Sequence, residues 1–129
     1  MSSNKNLYIV DRSHLAINFY FVLFKDFNYT LVKLSDIDSL VERIKRREKA
    51  DLIIVSSNVF KDSKAHIDLE VFKKNVKLAN INKLFLCSEG SPDHEWSKLL
   101  KGVPNSKILQ RPFHPPEMLK VTKKLLGDK

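Results

Sequence analysis

Chemically versatile side chains stand directly after the short apolar runs of this sequence. They supply carboxylates, hydroxyls, an amide and guanidiniums, and they are Asp11, Arg12 and Ser13 after the first run, Ser56, Ser57 and Asn58 after the third, Ser88 and Glu89 after the fourth, and Arg111 after the fifth. In open α/β sheets, ligands bind beyond the carboxyl ends of the strands. If these runs are parallel strands, function is expected at that edge.

Other reactive patterns are absent from the sequence. The four histidines lie in separate segments without the i, i+4 spacing of a metal site, and no Gly-x-Ser-x-Gly motif of a hydrolase occurs. Glycine occurs only at positions 90, 102 and 127, so no glycine-rich loop can hold a nucleotide phosphate. The single cysteine, Cys87, is expected to be a buried thiol. We expect no cofactor, no metal ion and no enzymatic activity.

The apolar runs predict five strands. Their β-branched composition and length favour strands at Leu7–Val10, Tyr29–Leu34, Leu52–Val55, Lys83–Cys87 and Lys107–Gln110. Three of them are continuous apolar runs, which is typical of strands that are buried on both faces of a sheet. The sheet is therefore expected to be central.

Stretches of helical period follow each strand. They predict helices at Ser13–Phe27, Asp36–Lys49, Lys64–Ala79, Pro92–Lys101 and Pro115–Leu126. The alternation predicts a doubly wound, flavodoxin-like α/β fold, with a five-stranded parallel sheet and helices on both faces. We assign residues 6–127 to one domain, residues 1–5 to a flexible amino-terminal tail and residues 128–129 to the carboxyl end.

The closing segment resembles a known family. Arg111-Pro112-Phe113, followed by Glu117-Met118-Leu119, is similar to the Lys-Pro-Phe motif and last helix of the response-regulator receiver (CheY-like) domain. The run from Ala50 to Val55 resembles the third strand of that family, and the resemblance covers Asn6 to Gly127. It implies a domain of two-component signal transduction.

The resemblance also implies a phosphorylation pocket, from which this sequence departs. In the family, two acids after the first strand hold Mg²⁺, an aspartate ending the third strand accepts phosphate, a hydroxyl ends the fourth, and a lysine precedes the proline. Asp11 matches the first acid and Ser88 keeps the hydroxyl. Arg12 replaces the second acid, Ser56 the phosphoacceptor and Arg111 the lysine.

These replacements argue against metal binding and phosphotransfer. A guanidinium places positive charge where Mg²⁺ would sit, and a serine without a general base is a poor nucleophile. We expect Asp11 to pair with Arg12 or Arg111, and such an ion pair would fill the space of metal and phosphate. Plainer roles stay open, with Asp11 capping the first helix and Ser88 capping a turn. The sequence thus indicates a pseudo-receiver that binds a partner signalling protein or a second copy.

Two other functions remain open. One is a receiver that is phosphorylated at a non-standard acceptor, Ser57 or Asp62. The other is a nucleic-acid-binding module, suggested by the formal net charge of +8. The basic residues at 43–49 are interleaved with Glu42 and Glu48, and no nucleic-acid motif is present, so nucleic acid is the less favoured partner.

The sequence also bears on location. The longest apolar run, Leu15 to Phe24, contains Asn18 and falls short of the roughly 20 apolar residues of a membrane helix. The polar start of the chain is followed by no cleavage pattern of a secretory signal. We expect a cytoplasmic protein without membrane insertion.

The first helix is more apolar than one packing face requires. At about 100° per residue, the stripe expected to face the sheet contains Ala16, Phe19, Tyr20, Leu23 and Phe27. An adjoining arc, expected to face solvent, contains Ile17, Phe21 and Phe24. Exposed apolar patches usually mark interaction surfaces, so this arc is predicted to contact a partner or a second copy. Alternatively, the last helix or the amino-terminal tail covers it.

Overall fold

The computed structural model describes residues 4–60, 65–87, 102–111 and 113–127, with the backbone alone for 65–68. The strands are β1 (Lys5–Val10), β2 (Tyr29–Leu34), β3 (Leu52–Ser56), β4 (Asn82–Cys87) and β5 (Ser106–Gln110). The helices are α1 (His14–Phe24), α2 (Ile37–Lys45), α3 (Ala65–Lys74), α4 (Val76–Asn80) and α5 (Pro115–Leu126), and a 3-10 turn spans Ser57–Phe60.

The strands form one parallel sheet in the order β2-β1-β3-β4-β5. Side chains alternate between two cores: on β1, Leu7 and Ile9 pack with α1 and α5, whereas Tyr8 and Val10 pack with α2 and α3. Helices therefore cover both faces, and the predicted doubly wound five-stranded fold is confirmed. The order reverses between β1 and β3, where such sheets place their sites.

Two helices end earlier than predicted. α1 stops at Phe24 instead of Phe27, and α2 stops at Lys45 instead of Lys49. After α2, Arg47 adopts a φ of 62°, a left-handed conformation that terminates a helix. The sequence carries no glycine there, so the usual signal for this end is missing.

The predicted helix Lys64–Ala79 is divided in two. Asn75 has extended backbone angles, and its side chain accepts hydrogen bonds from the N–H groups of Lys77 and Leu78, capping α4. This capping geometry competes with helix continuation. The bounds of α5 match the prediction, and the predicted helix Pro92–Lys101 lies outside the described residues.

The amino-terminal strand is longer than predicted. Lys5, which we assigned to the tail, is the first residue of β1 and pairs with Tyr29. The Asn4 side chain donates a 2.7 Å hydrogen bond to the hydroxyl of Thr30. Strand pairing thus begins within the segment predicted to be flexible. None of the described helices has both the length and the apolar character needed to cross a membrane.

The predicted faces of α1 are only partly correct, because Tyr20 is buried and Ala16 and Leu23 pack against the core as expected, whereas the predicted surface arc is wrong. Its buried residues are Ile17, Tyr20 and Phe24, so Ile17 and Phe24 belong to the core and are 8% and 2% exposed. Phe19, which we assigned to the core, is 37% exposed, and only Phe21 of the predicted surface arc is exposed, at 42%. Because α1 is apolar on nearly every side, hydrophobic periodicity does not determine which face meets the sheet.

Candidate functional site

Asp11 occupies the turn that joins β1 to α1. Its backbone N–H donates to the Leu34 carbonyl at 3.0 Å, which ties the turn to the end of β2. Its Oδ1 accepts a 2.9 Å hydrogen bond from the N–H of Ser13, and the Ser13 hydroxyl accepts from Ala16 to cap α1. These bonds hold the Asp11 carboxylate inside the protein, where the residue is 1% exposed.

Three side chains contact this carboxylate and a fourth, Ser56, joins through Arg111; with Asp11 they form what we call the Asp11 network. The Tyr20 hydroxyl donates to Oδ2 at 2.9 Å, and the Asn58 amide donates to Oδ1 at 2.6 Å. Arg111 lies 3.6 Å from Oδ2, and it donates to the Tyr20 hydroxyl at 2.9 Å and to the Ser56 hydroxyl at 3.2 Å. The network joins α1 to the ends of β1, β3 and β5.

The electrostatics of the network favour one closed arrangement. Burial and the neighbouring Asp11 charge raise the pKa of Tyr20 far above that of a free tyrosine, although Arg111 opposes this shift. Tyr20 is therefore a neutral donor at physiological pH. Both oxygens of Asp11 accept hydrogen bonds, which is the condition under which a buried carboxylate is tolerated.

The sequence predicted part of this site. Asp11, Ser56 and Arg111 meet as expected, and Arg111 forms the predicted ion pair with Asp11. The Arg12 side chain is exposed, and its backbone N–H donates to Asn58 Oδ1 at 3.1 Å. Ser88 and the alternative acceptor Asp62 lie outside the described residues, whereas Ser57 is partly buried in the 3-10 turn.

Two members of the network were missed. Tyr20 was assigned only to packing, and Asn58 was noted as a strand-end residue without a role. A buried tyrosine hydroxyl normally requires a hydrogen-bond partner, so a tyrosine on the sheet-facing side of α1 was an available signal. For Asn58, the sequence offered only its place after β3.

The residues of the network do not fit a Mg²⁺ ion. Mg²⁺ prefers octahedral coordination by oxygen, and Asp11 is the network's only carboxylate, with both oxygens already hydrogen-bonded. The Arg111 guanidinium near Oδ2 adds positive charge. Among the residues that the structure describes, no group of three or more histidine, cysteine, aspartate or glutamate side chains could hold a metal ion.

Comparison with known proteins supports the fold. No family model and no curated protein matches the sequence. The structure resembles a response regulator receiver protein from Sinorhizobium medicae, with 16% identity over 97% of this chain and 96% of that chain and a TM-score of 0.77. This chain has the receiver-domain fold.

Two further receiver structures agree. A response regulator receiver protein from Burkholderia phymatum is 14% identical over 97% of both chains, with a TM-score of 0.75. A signal receiver domain of a two-component histidine kinase from Clostridium thermocellum is 15% identical over 95% of this chain and 97% of that chain, with a TM-score of 0.75. Within the receiver fold of our chain, the Asp11 network lies at the carboxyl ends of β1, β3 and β5.

A second feature of this receiver fold is the solvent side of α1. Leu15 and Val22 are 83% and 64% exposed, and with Phe19 they lie at i, i+4 and i+7 on one side of the helix. We call these three residues the α1 outer face. The helix from Leu15 to Phe24 contains no charged residue. The exposed apolar surface predicted for α1 is therefore present, but it is formed by residues other than Ile17 and Phe24.

Proposed function

We propose that this protein is a cytoplasmic pseudo-receiver of two-component-type signalling, which acts by binding a partner protein and without accepting phosphate. The supporting observation is the Asp11 network. At the phosphoacceptor position implied by the family resemblance, Ser56 offers a buried hydroxyl that accepts a hydrogen bond from Arg111. A serine hydroxyl needs a nearby general base to act as a nucleophile, whereas its neighbour here is a cation.

Phosphate analogues with Mg²⁺ provide the first test. Neither acetyl phosphate nor beryllofluoride should alter the amide chemical shifts or the melting temperature, because the metal ligand and nucleophile are both replaced. The matched control is a variant with Arg12→Asp, Ser56→Asp and Arg111→Lys, which restores the family's residue types at three positions. A saturable, Mg²⁺-dependent change in the unmodified protein would contradict the proposal.

The same experiment addresses phosphorylation at another residue. Intact-protein mass spectrometry after exposure to acetyl phosphate should show no mass increase of a phosphoryl group. A stable phosphoprotein would favour the alternative in which Ser57 or Asp62 is the acceptor, and peptide mapping would identify the residue.

The partner contact is proposed to lie on the α1 outer face. Its three apolar side chains have no charged neighbour within the helix, so a protein partner could bury them without desolvating a charge. The net charge of +8 disfavours a second copy, because two such chains repel each other. An acidic partner protein fits the surface better than a homodimer.

Paired substitutions on α1 test this contact. The double variant Leu15→Ser and Val22→Ser should change the free energy of unfolding by no more than about 0.5 kcal/mol, because both residues are largely exposed. It should lose the partner that the unmodified protein retains in affinity purification. Asn18→Ser is the control on the same helix. A partner retained equally by the double variant, or a dimer detected by light scattering, would contradict the proposed contact.

A further inference from the structure

The amino edge of the sheet, opposite the Asp11 network, carries most of the exposed cations of the described residues. In this parallel sheet the strands begin, and the helices before them end, at that edge. Two further exposed cations, Lys49 before β3 and Lys107 in β5, lie at the same edge. Six exposed cations lie in the last helical turns or directly after them, and we call them the amino-edge cations: Lys25, Lys45, Arg46, Arg47, Lys77 and Lys124.

Contacts between the helix ends join these cations into one surface. The amino group of Lys123, in the last turn of α5, lies 4.7 Å from the centre of the Phe27 ring, in the turn between α1 and β2. Three hydrogen bonds join the other ends: from the Asp51 N–H to the Asn6 carbonyl, from the Asn82 amide to the Leu125 carbonyl, and from the Asn105 amide to the Ala79 carbonyl. The cations therefore border both faces of an edge that is about 19 Å wide, at about 4.8 Å per strand spacing.

Nearby acids offset little of this charge. In the sequence, the basic residues of α2 alternate with acids, but Glu48 accepts hydrogen bonds from the Tyr8 hydroxyl at 2.9 Å and from Arg43 at 3.1 Å. Its charge is thus engaged by a cation outside the set of six. The exposed acids among the described residues of this edge are Asp26 and Glu42. Within the described part of the chain, none of the six amino-edge cations forms an ion pair.

Helix dipoles account for only part of the positive charge. The carboxyl end of a helix carries about −0.5 charge, so the ends of α1, α2, α4 and α5 offset about two of the cations. With the two exposed acids included, an excess of about four positive charges is left. The helix ends also have partners within the protein: the buried Lys83 amino group donates to the Leu78 and Ile81 carbonyls at 2.6 Å, and the Gly127 N–H donates to the Lys124 carbonyl at 3.2 Å. The exposed cations are therefore available to an external anion.

We propose that the amino edge binds the phosphate backbone of a nucleic-acid duplex without reading its sequence. Such binding needs phosphate contacts from lysine and arginine and no apolar contact. A protein interface normally has an apolar centre, and a basic surface on a membrane needs a second anchor. The exposed large apolar side chains of the described residues lie on α1 or occur singly, at Val76 and Ile108, so this edge lacks both features.

This binding goes beyond the proposed function and uses a surface separate from the Asp11 network and the α1 outer face. Either proposal can therefore fail while the other holds. The fold brings together cations from four helices, and for this reason the charge pattern along the sequence did not indicate the surface.

Fluorescence anisotropy with the full chain tests the class of polyanion. The probes are labelled DNA and RNA duplexes of about 20 base pairs and equal sequence, and the tighter of the two identifies the kind of duplex. With about four phosphates neutralised, the affinity should fall about 100-fold between about 50 and 200 mM salt, and a duplex of unrelated sequence should bind equally. Polyglutamate and vesicles of equal parts phosphatidylcholine and phosphatidylserine serve as competitors. Absence of duplex binding at about 50 mM salt, or tighter binding of either competitor, would overturn the assignment to nucleic acid.

Paired substitutions test the location from each helix layer. Arg46→Gln with Arg47→Gln removes two charges beside α2, and Lys25→Gln with Lys124→Gln removes two beside α1 and α5. Each pair should weaken duplex binding about 100-fold at about 50 mM salt and halve the dependence of log affinity on log salt, because each lost contact leaves about one counterion bound. All four residues are exposed, so the urea midpoint should stay unchanged.

The matched control removes the same charge away from the amino edge. Lys33 lies near the carboxyl end of β2 and Lys120 in the middle of α5, and both are exposed. Lys33→Gln with Lys120→Gln should weaken binding less than about threefold, since exposed charges beyond the contact are screened. Equal weakening by this control pair would show that net charge alone governs binding and would overturn the amino edge as the site.

Discussion

Replacing Asp11 with alanine removes the acceptor at the centre of the Asp11 network. The Tyr20 hydroxyl, in a residue that is 1% exposed, then loses the group to which it donates. Leaving one buried donor unsatisfied costs about 1 to 3 kcal/mol. The other two donors to Asp11, the Asn58 side-chain amide and the Ser13 N–H, belong to partly exposed residues, so water can accept their hydrogen bonds instead.

Loss of the ion pair between Asp11 and Arg111 destabilises the protein less than loss of a fully buried ion pair would. The Arg111 side chain is 28% exposed, so solvent can stabilise its charge when Asp11 is absent. Breaking a completely buried pair costs about 3 to 5 kcal/mol, and this site falls below that range. We therefore expect Asp11→Ala to lower the free energy of unfolding by about 1 to 3 kcal/mol.

Urea denaturation with a double-mutant cycle measures this effect. Asp11→Ala, Arg111→Met and the double variant are compared, and the cycle should show a coupling energy of about 1 kcal/mol. Asp26→Ala, at an exposed aspartate, is the control and should change stability by less than about 0.5 kcal/mol. An unchanged urea midpoint for Asp11→Ala, or additive single variants, would refute the network as a coupled structure.

Three further substitutions test other parts of the structure. Among the described residues, Thr122 carries a buried hydroxyl without a hydrogen-bond partner, so Thr122→Val should raise the unfolding free energy by about 1 kcal/mol, and a lower urea midpoint would contradict this. Arg47→Gly should stabilise by about 0.5 to 1 kcal/mol by relieving the left-handed backbone, whereas Arg46→Gly, with its φ of −75°, should not. Burial and the hydrogen bond to Glu48 raise the pKa of Tyr8 to about 12, so stability linked to its proton is complete below about pH 10 and is lost as the pH rises towards 12. Tyr8→Phe should flatten that decline in urea titrations, and parallel curves for both proteins would count against the linkage.

The sheet was predictable because its strands are short, apolar and separated by long helical segments. Leu52–Val55 and Lys83–Cys87 were placed within one residue of the observed bounds. Helix ends were harder, since Arg47 and Asn75 stop helices by backbone geometry and side-chain capping without a glycine or proline. The contacts of the buried Lys83 side chain were also not predictable. Its amino group reaches back to the Leu78 and Ile81 carbonyls at 2.6 Å, an interaction between helix and strand that local sequence does not reveal.

The candidate site was predictable only where the family resemblance supplied positions. Asp11 follows β1, Ser56 ends β3 and Arg111 follows β5, so their meeting depends on the topology of the sheet. Tyr20 was placed on the sheet-facing side of α1, but its hydroxyl was given no hydrogen-bond partner. The apolar composition of α1 also placed Ile17 and Phe24 on the wrong side. Asn58 was missed for another reason, since its contact with Asp11 depends on the conformation of the turn after β3.

The closed arrangement of the Asp11 network constrains how this domain switches. A switch needs two arrangements of similar free energy, and a ligand shifts their populations only by binding one more tightly. Opening the Asp11 network would leave the buried Tyr20 hydroxyl unsatisfied, which costs about 1 to 3 kcal/mol. A ligand that binds only the other arrangement contributes about 2.7 kcal/mol at 100 times its dissociation constant. A partner that binds α1 only in the other arrangement would therefore match the stability of the network. A partner that contacts both arrangements equally leaves their populations unchanged, however tightly it binds.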